Sequence, residues 1–353
     1  MKVKVNVGCS NRTDLVEIEK EKIKYALARQ VDYISEISLI PEKKRELLEF
    51  IKSLDRRATK FCTVPLYDCV LTKTDILEVM KAQYESGVRA FTLHLTPKHL
   101  IKAAIEQEFI INSRAGNFLA GLAKTDIENP HFAVFQEIMT FLREKGCELF
   151  VGTSLRPGRV AESKSSCLWQ EELRFIISYL ERQCVARDEY ILECGGHLDS
   201  SLLGTFVDIV RDHQICVMGP LLTDATNAFD DLSSIIGATT LNTLKPIHTH
   251  LLLTRDEHIR LPTLESLKSG VDTVLVLKHN VNLLEKDEST LKHEDCFRNQ
   301  SNQCTLGINL FGPLEGDPKI CSMCGLHCPL RNIKYPTVTL DNILAQRKRE
   351  TRP

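Results

Sequence analysis

Three cysteines near the C-terminal end of the chain have the spacing of a metal or iron–sulfur site. Cys321, Cys324 and Cys328 lie in the segment C-S-M-C-G-L-H-C, and this C-x2-C-x3-C spacing can bring three thiolates together. A [4Fe–4S] cluster normally takes four cysteines, so three of them leave one iron open. An open iron is what S-adenosylmethionine radical chemistry requires. A structural zinc site fits the same spacing, with a fourth ligand from His327, Cys304 or Cys296.

The composition is that of an ordinary globular protein. The chain has 353 residues, of which 43% are hydrophobic and 26% charged, and its formal net charge is −2. This balance gives no basic excess for nucleic acid, no apolar run reaches membrane-spanning length, and the N-terminal residues lack a secretory signal. Thirteen cysteines without such a signal favour metal or redox roles over disulfides. We therefore expect a cytoplasmic protein that binds neither nucleic acid nor membranes.

Short apolar runs alternate with segments of helical periodicity along most of the chain. The runs that predict strands are Val3–Val7, Tyr33–Ile37, Phe61–Val64, Ala90–His94, Phe109–Ile111, Leu149–Gly152, Tyr190–Glu193 and Ile215–Met218. Alternation of strands and helices is typical of a parallel sheet. About eight repeats predict an α/β fold of the closed (β/α)8, or TIM-type, barrel.

The alternating pattern stops near residue 284. Residues 286–318 are polar and lack periodicity, and the cysteine motif follows them. A long polar connection in a compact protein usually has a function of its own. We predict a barrel over residues 1–285 that holds the substrate and metal site, and an extended C-terminal arm over residues 286–353 that carries the cysteines.

Polar side chains recur where the predicted strands end. In a (β/α)8 barrel the reactive groups lie at that end, on the loops that follow the strands. One such residue is usually a satisfied loop group, whereas a series in register predicts a common site. The candidates on these strand ends are Asn6, Tyr67, His94, Ser113, Arg114, Arg156 and Glu193.

Two histidines, His197 and His258, follow apolar runs and form a candidate metal site. A pair of neutral imidazoles with open positions suits Zn²⁺ or Fe²⁺. Two ligands do not complete a structural site, so water or substrate has to supply the others. The rival histidines are His213, His248 and His250. A dinucleotide-binding glycine motif and a Walker A loop are both missing from the sequence.

Short segments in a fixed order resemble one enzyme family. They are N-V-G-C-S, T-V-P-L-Y-D, F-T-L-H, N-S-R-A-G, S-L-R-P-G, L-E-C-G-G-H, M-G-P-L-L-T-D, D-E-H-I-R-L-P and C-S-M-C-G. Each is similar to a segment of the phosphomethylpyrimidine synthase family, which are radical S-adenosylmethionine enzymes that make the pyrimidine of thiamin. Each segment alone is weak, but the same order along almost the whole chain is specific.

The resemblance implies a carbon–carbon lyase that rearranges aminoimidazole ribotide, or a close ribotide, to hydroxymethylpyrimidine phosphate. Cys321, Cys324 and Cys328 would hold a [4Fe–4S] cluster whose open iron binds S-adenosylmethionine, with flavodoxin or ferredoxin as the reductant. Reductive cleavage would give a 5′-deoxyadenosyl radical that abstracts hydrogen from the ribotide. His197 and His258 would hold a second metal, zinc or iron. The family also implies a homodimer in which each arm is donated to the neighbouring subunit.

The resemblance also assigns roles to single residues. Glu193 and the three cysteines match family residues that act in catalysis. The residues that match substrate contacts are Asn6, Tyr67, His94, Ser113, Arg114 and Arg156. We expect the two arginines to bind the ribotide phosphate, because a guanidinium is a planar, permanently charged fork that matches phosphate oxygens.

The chain departs from the family at several pocket positions. Thr153 replaces an aspartate, Cys216 a tyrosine and Ala115 a glycine, while Glu36 stands at another altered contact, and the cysteine motif is one residue shorter than the common form. Retained cofactor residues beside altered pocket residues indicate radical chemistry on an altered substrate site. One alternative is a 5-hydroxybenzimidazole synthase of anaerobic cobamide synthesis, which uses the same ribotide and radical. Another is a non-catalytic paralogue that binds metal or a partner.

Overall fold

The computed structural model describes residues 1–54, 58–299, 308–310 and 312–313. The chain divides into two compact units, Met1–Lys278 and His279–Pro353. Within the described ranges no helix is both long and apolar enough to cross a lipid bilayer. The three cysteines of the C-terminal motif lie outside the described residues.

Eight parallel strands form the centre of the first unit. They are β1 (Lys2–Val7), β2 (Tyr33–Glu36), β3 (Lys60–Thr63), β4 (Ala90–His94), β5 (Glu148–Gly152), β6 (Tyr190–Cys194), β7 (Gln214–Val217) and β8 (Thr249–Leu251). Each strand pairs with its neighbours in sequence, and β8 pairs with β1 to close a barrel. This confirms the predicted (β/α)8 architecture.

Helices connect the strands, because a parallel pair needs a crossover connection. In the first unit they are α1 (Val16–Ala28), α2 (Pro41–Ser53), α3 (Pro65–Thr72), α4 (Ile76–Glu85), α5 (Lys98–Glu106), α6 (Arg114–Lys124), α7 (Phe135–Lys145), α8 (Val160–Ser165), α9 (Leu168–Arg182), α10 (Leu203–Val210) and α11 (Asp230–Asn242). The remaining elements are two short 3-10 helices, Pro130–Phe132 and Ser200–Leu202, together with α12 (Leu264–Leu284), α13 (Glu288–Asn299), β9 (Ile308–Asn309) and β10 (Gly312–Pro313). The predicted extended arm therefore contains a helix, α13.

One strand prediction was wrong, and one strand was not predicted. Phe109–Ile111, the predicted fifth strand, forms no strand and instead leads from α5 to α6. The segment is apolar because it packs in a hydrophobic cluster with residues of α5 and α6, in which Phe109 is buried. The true eighth strand, Thr249–Leu251, is short and carries a histidine, so it lacks the apolar run that marks the others. Arg156 and Glu193 accordingly belong to the fifth and sixth strands rather than the sixth and seventh.

The barrel interior has an apolar lower layer. Residues two apart on a strand face the same side, and one buried cluster of strand residues includes Tyr33, Cys62, Phe150 and Cys216. The rings of Tyr33 and Phe150 meet edge to face, with centroids 5.1 Å apart. The cysteines whose side chains the structure describes are free thiols.

Helix α11 lies against the turn that follows β7. A Cβ atom built on Gly237 would come within 1.6 Å of the carbonyl oxygen of Pro220, so only glycine allows this approach. Gly121 in α6 is the opposite case, because a Cβ there would meet nothing within 4 Å. The position of α11 relative to the barrel therefore depends on the missing side chain at Gly237.

We expect Gly237→Ala to lower the free energy of unfolding by about 1–3 kcal/mol, the usual cost of overpacking. Gly121→Ala is the matched control and should raise it by about 0.5–1 kcal/mol, because alanine favours a helix over glycine. Urea unfolding followed by circular dichroism measures both. Equal stabilisation by the two changes would contradict the packing described for α11.

Candidate active site

One cavity lies at the carboxyl ends of the barrel strands. Its volume is about 250 Å³. It is lined by most of the barrel residues that the sequence predicted for the site, namely Asn6, Tyr67, His94, Arg114, Arg156, Glu193, His197 and His258. These side chains converge because all eight strands run in the same direction and end at the same face of the barrel.

Ser113 lies beside the cavity rather than on its lining. Its hydroxyl accepts a hydrogen bond from the Gly116 amide at 2.9 Å and so caps α6. The same hydroxyl donates to the Ser154 carbonyl at 3.0 Å. Ser113 therefore ties the start of α6, and with it Arg114, to the loop after β5.

A buried ion pair on the inward face of the barrel was missed by the sequence analysis. The Lys4 ammonium donates to Glu193 Oε2 at 2.6 Å and to Thr92 Oγ1 at 3.0 Å, and it lies 3.8 Å from the centre of the Phe150 ring. Burial alone would raise the pKa of Glu193, but Lys4 and Arg156 outweigh it and lower the pKa. Glu193 is thus an ionised carboxylate that can only accept hydrogen bonds. Alternation along β1, which places Lys4 on the face of Asn6, was the available signal.

His94 occupies the end of β4 as a neutral imidazole. Burial, followed by the positive charge of Arg156, lowers the pKa of His94 to about 3. The ring packs against Gly152 on β5, where a Cβ atom would come within 2.6 Å of Nε2. Its Nδ1 atom is buried without a hydrogen-bond partner among the described residues. An unpaired polar atom on the wall of a cavity can bond to a ligand there.

Two arginines supply positive charge to the cavity. Arg114, the first residue of α6, donates to the Ile37 carbonyl at 2.7 Å, and Arg156 Nη1 lies 3.3 Å from Met218 Sδ. Within the described ranges neither guanidinium has a carboxylate partner in an ion pair. Both retain donors for an anionic ligand.

Glu172 of α9 holds the loop that carries Arg156. Its carboxylate accepts hydrogen bonds from the Ser154 amide at 2.6 Å and the Leu155 amide at 2.8 Å, and Thr96 Oγ1 also donates to it. Burial raises the pKa of Glu172 to about 7, although these three hydrogen bonds favour the ionised form. This role could not be predicted from the sequence, since one glutamate in an amphipathic helix normally indicates a solvated position.

The two predicted metal-site histidines lie side by side. The ring centroids of His197 and His258 are 5.5 Å apart. His197 Nδ1 is 2.7 Å from Asp224 Oδ1, and His258 Nδ1 is 3.2 Å from Asp230 Oδ2. Across the described part of the chain, no group of three or more His, Cys, Asp or Glu side chains is arranged to hold a metal. A metal on this pair would need its other ligands from water or a bound molecule.

The rival histidines make other contacts. His213 lies 2.9 Å from the Tyr190 hydroxyl and His250 lies 3.1 Å from Ser234 Oγ, each through one ring nitrogen. His248 contacts Thr249 Oγ1 at 2.8 Å. None of the three is part of the lining of the cavity that holds His197 and His258.

The positions that depart from the family pattern divide into one that lines the cavity and three that do not. Ala115 lines the cavity. Thr153 donates its backbone amide to the Glu193 carbonyl in the barrel wall, and Cys216 is fully buried in the interior layer. Glu36 is also buried and accepts from the Ser38 amide at 2.8 Å. The added methyl group of Ala115 is therefore the change most exposed to a ligand.

Comparison with known proteins gives the family. The Radical SAM ThiC family matches residues 1–335, so the chain belongs to that family and is a radical S-adenosylmethionine enzyme. It is similar to the phosphomethylpyrimidine synthase of Alkaliphilus oremlandii, with 25% identity over 94% of this chain and 82% of the relative. The corresponding enzyme of Clostridioides difficile is 26% identical over 94% of this chain and 83% of its own. These findings confirm the resemblance seen in the sequence.

The pKa of Glu172 leads to a pH-dependent prediction. A folded-state pKa near 7 against an ordinary value of 4.5 disfavours the ionised form in the folded protein. Its contribution to stability is present below pH 4.5 and is lost as pH rises through 7. Relative to Glu172→Gln, the wild type should lose about 3 kcal/mol of unfolding free energy between pH 4.5 and 8. Urea unfolding of both proteins measures this, and a difference independent of pH would contradict it.

Proposed function

We propose that this enzyme is a lyase that rearranges aminoimidazole ribotide, or a close ribotide, to hydroxymethylpyrimidine phosphate in thiamin biosynthesis. The observation that carries the proposal is that eight family-matched side chains line one cavity, from Asn6 on the first strand to His258 after the last. The names of the similar proteins support the same activity. Family membership alone would leave the substrate open.

The cavity suits a ligand with an anionic end and a nitrogen-rich end. Arg114 and Arg156 offer unpaired guanidinium donors, and Arg114 begins α6, whose N-terminus also favours an anion. The ionised Glu193 accepts a hydrogen bond from an N–H group, and the neutral His94 can donate or accept one. We assign the phosphate to the arginines and the aminoimidazole to Glu193 and His94.

The cofactor sites follow from the donor sets. Cys321, Cys324 and Cys328 offer three thiolates, which suit a [4Fe–4S] cluster with one open iron. When bound, the cluster supplies the electron that cleaves S-adenosylmethionine, with flavodoxin or ferredoxin as its donor. His197 and His258 are two neighbouring imidazoles with open positions, which suits a divalent zinc or iron ion.

The assembly and location belong to the same proposal. In a homodimer, residues 286–353 of one subunit would close the site of the other. The reason is chemical, because a radical intermediate must be shielded from water and held close to one C–H bond. We further propose that the enzyme works in the cytoplasm, where reduced thiols and the electron donor are available.

Product analysis tests the proposed reaction. The chain, with its cluster reconstituted without oxygen, is incubated with aminoimidazole ribotide, S-adenosylmethionine and a reductant, and the products are identified by mass spectrometry. We expect hydroxymethylpyrimidine phosphate together with 5′-deoxyadenosine. Formation of 5-hydroxybenzimidazole would assign the enzyme to cobamide synthesis instead. An intact cluster without any turnover would favour a non-catalytic paralogue.

The phosphate assignment predicts the effect of two substitutions. Arg114→Ala and Arg156→Ala should each weaken ribotide binding by about 10–100-fold, because each removes charged hydrogen bonds worth about 1.5–3 kcal/mol. The cluster absorbance should stay unchanged. Arg143→Ala is the control, since Arg143 pairs with Glu189 on the surface at 2.6 Å. Anaerobic calorimetric titration with the ribotide measures the affinities, and unchanged binding in both site variants would refute the assignment.

A further inference from the structure

The two histidines of the cavity each face a carboxylate from one stretch of chain. Asp224 lies in the connection between β7 and α11, and Asp230 is the first residue of α11. We propose that these aspartates are positioning residues that hold both imidazoles with Nε2 free for a divalent metal. This inference rests on the metal site of the proposed function and adds the residues that prepare it.

Asp224 fixes the ring of His197. The Nδ1 atom of His197 lies 2.7 Å from Asp224 Oδ1. Both carboxylate oxygens also accept from the Val160 amide, at 3.1 and 2.9 Å, so the aspartate is itself held in place. Since an ionised carboxylate can only accept, the proton of a neutral His197 lies on Nδ1. The lone pair is then on Nε2, the atom available to a metal.

Asp230 stands in the same relation to His258. Its side chain is 3% exposed, and its Oδ2 atom lies 3.2 Å from His258 Nδ1. That oxygen is buried without a well-formed hydrogen bond among the described residues. A buried carboxylate oxygen without a hydrogen bond is stabilised when a donor turns towards it. The partly exposed His258 ring supplies that donor if Nδ1 carries the proton, which again frees Nε2.

The spacing of the two rings agrees with a shared metal. Two imidazoles bound at about 2.0–2.1 Å hold their ring centroids about 5 Å apart. The observed separation is 5.5 Å. The contact between Gly237 and Pro220 sets α11, and therefore Asp230, at a fixed distance from the barrel. The site is thus largely preformed by one connection of the fold.

The next residue along the chain provides a matched control. Asp231 is as buried as Asp230, at 2% exposure for each residue. Asp231 pairs with Arg255 at 3.2 Å instead of with a histidine. A substitution there removes a buried carboxylate from the same helix start without touching either imidazole.

Zinc binding to the full, cluster-loaded chain tests the proposal. Under anaerobic calorimetric titration with Zn²⁺, Asp224→Asn and Asp230→Asn should each bind about 10–100-fold more weakly than the wild type, the usual effect of removing a partner of a ligating histidine. Asp231→Asn should bind as the wild type does. X-ray absorption at the zinc edge should show two imidazole nitrogens in the wild type.

The histidine variants separate two kinds of failure. If His197→Ala and His258→Ala abolish zinc binding while both aspartate variants keep wild-type affinity, the positioning role is overturned and the metal site stands. If the histidine variants also bind as the wild type does, the metal site itself is wrong. Asp224 has a side chain that is 44% exposed, so Asp224→Asn should fold even if Asp230→Asn does not. Thermal melting of each variant checks this.

Discussion

The chemistry of the cavity depends on one ion pair that crosses the barrel interior, from Lys4 on β1 to Glu193 on β6. Both side chains are buried, and removing one partner of such a pair generally costs about 3–5 kcal/mol because the other charge is left uncompensated. Glu193 and the Thr92 hydroxyl accept from the Lys4 ammonium, and the Phe150 ring faces it. Lys4 therefore has little to offer a ligand, and its effect is to keep Glu193 ionised and fixed.

The remaining charges of the site are held by backbone contacts in the loops. Glu172 binds two amides just before Arg156, Ser113 joins the start of α6 to the same loop, and Asp224 binds the Val160 amide. Each of these groups acts on a loop that carries a residue of the cavity. The loops at the mouth of the barrel can thus hold side chains at defined positions, because these polar groups form hydrogen bonds with the loop backbone.

About eight repeats of strand and helix predicted the barrel, since few folds are compatible with that pattern. The polar residues at the predicted strand ends then predicted most of the cavity lining. The errors have physical causes. Phe109–Ile111 is apolar because of helix packing, and Thr249–Leu251 is a strand because it closes the ring with β1. Lys4 and Glu172 were missed because charged residues normally indicate solvent, and only the fold brings their partners to them.

The balance of charge bears on the altered family positions. Lys4, Arg114 and Arg156 line the cavity against two carboxylates, Glu193 and Glu257, while His94 is neutral. The three cations therefore exceed the two carboxylates. An excess of positive charge favours a ligand with a phosphate over an uncharged one. The cavity therefore favours an anionic end on its ligand, whereas Thr153 lies in the barrel wall outside the lining and does not change this balance.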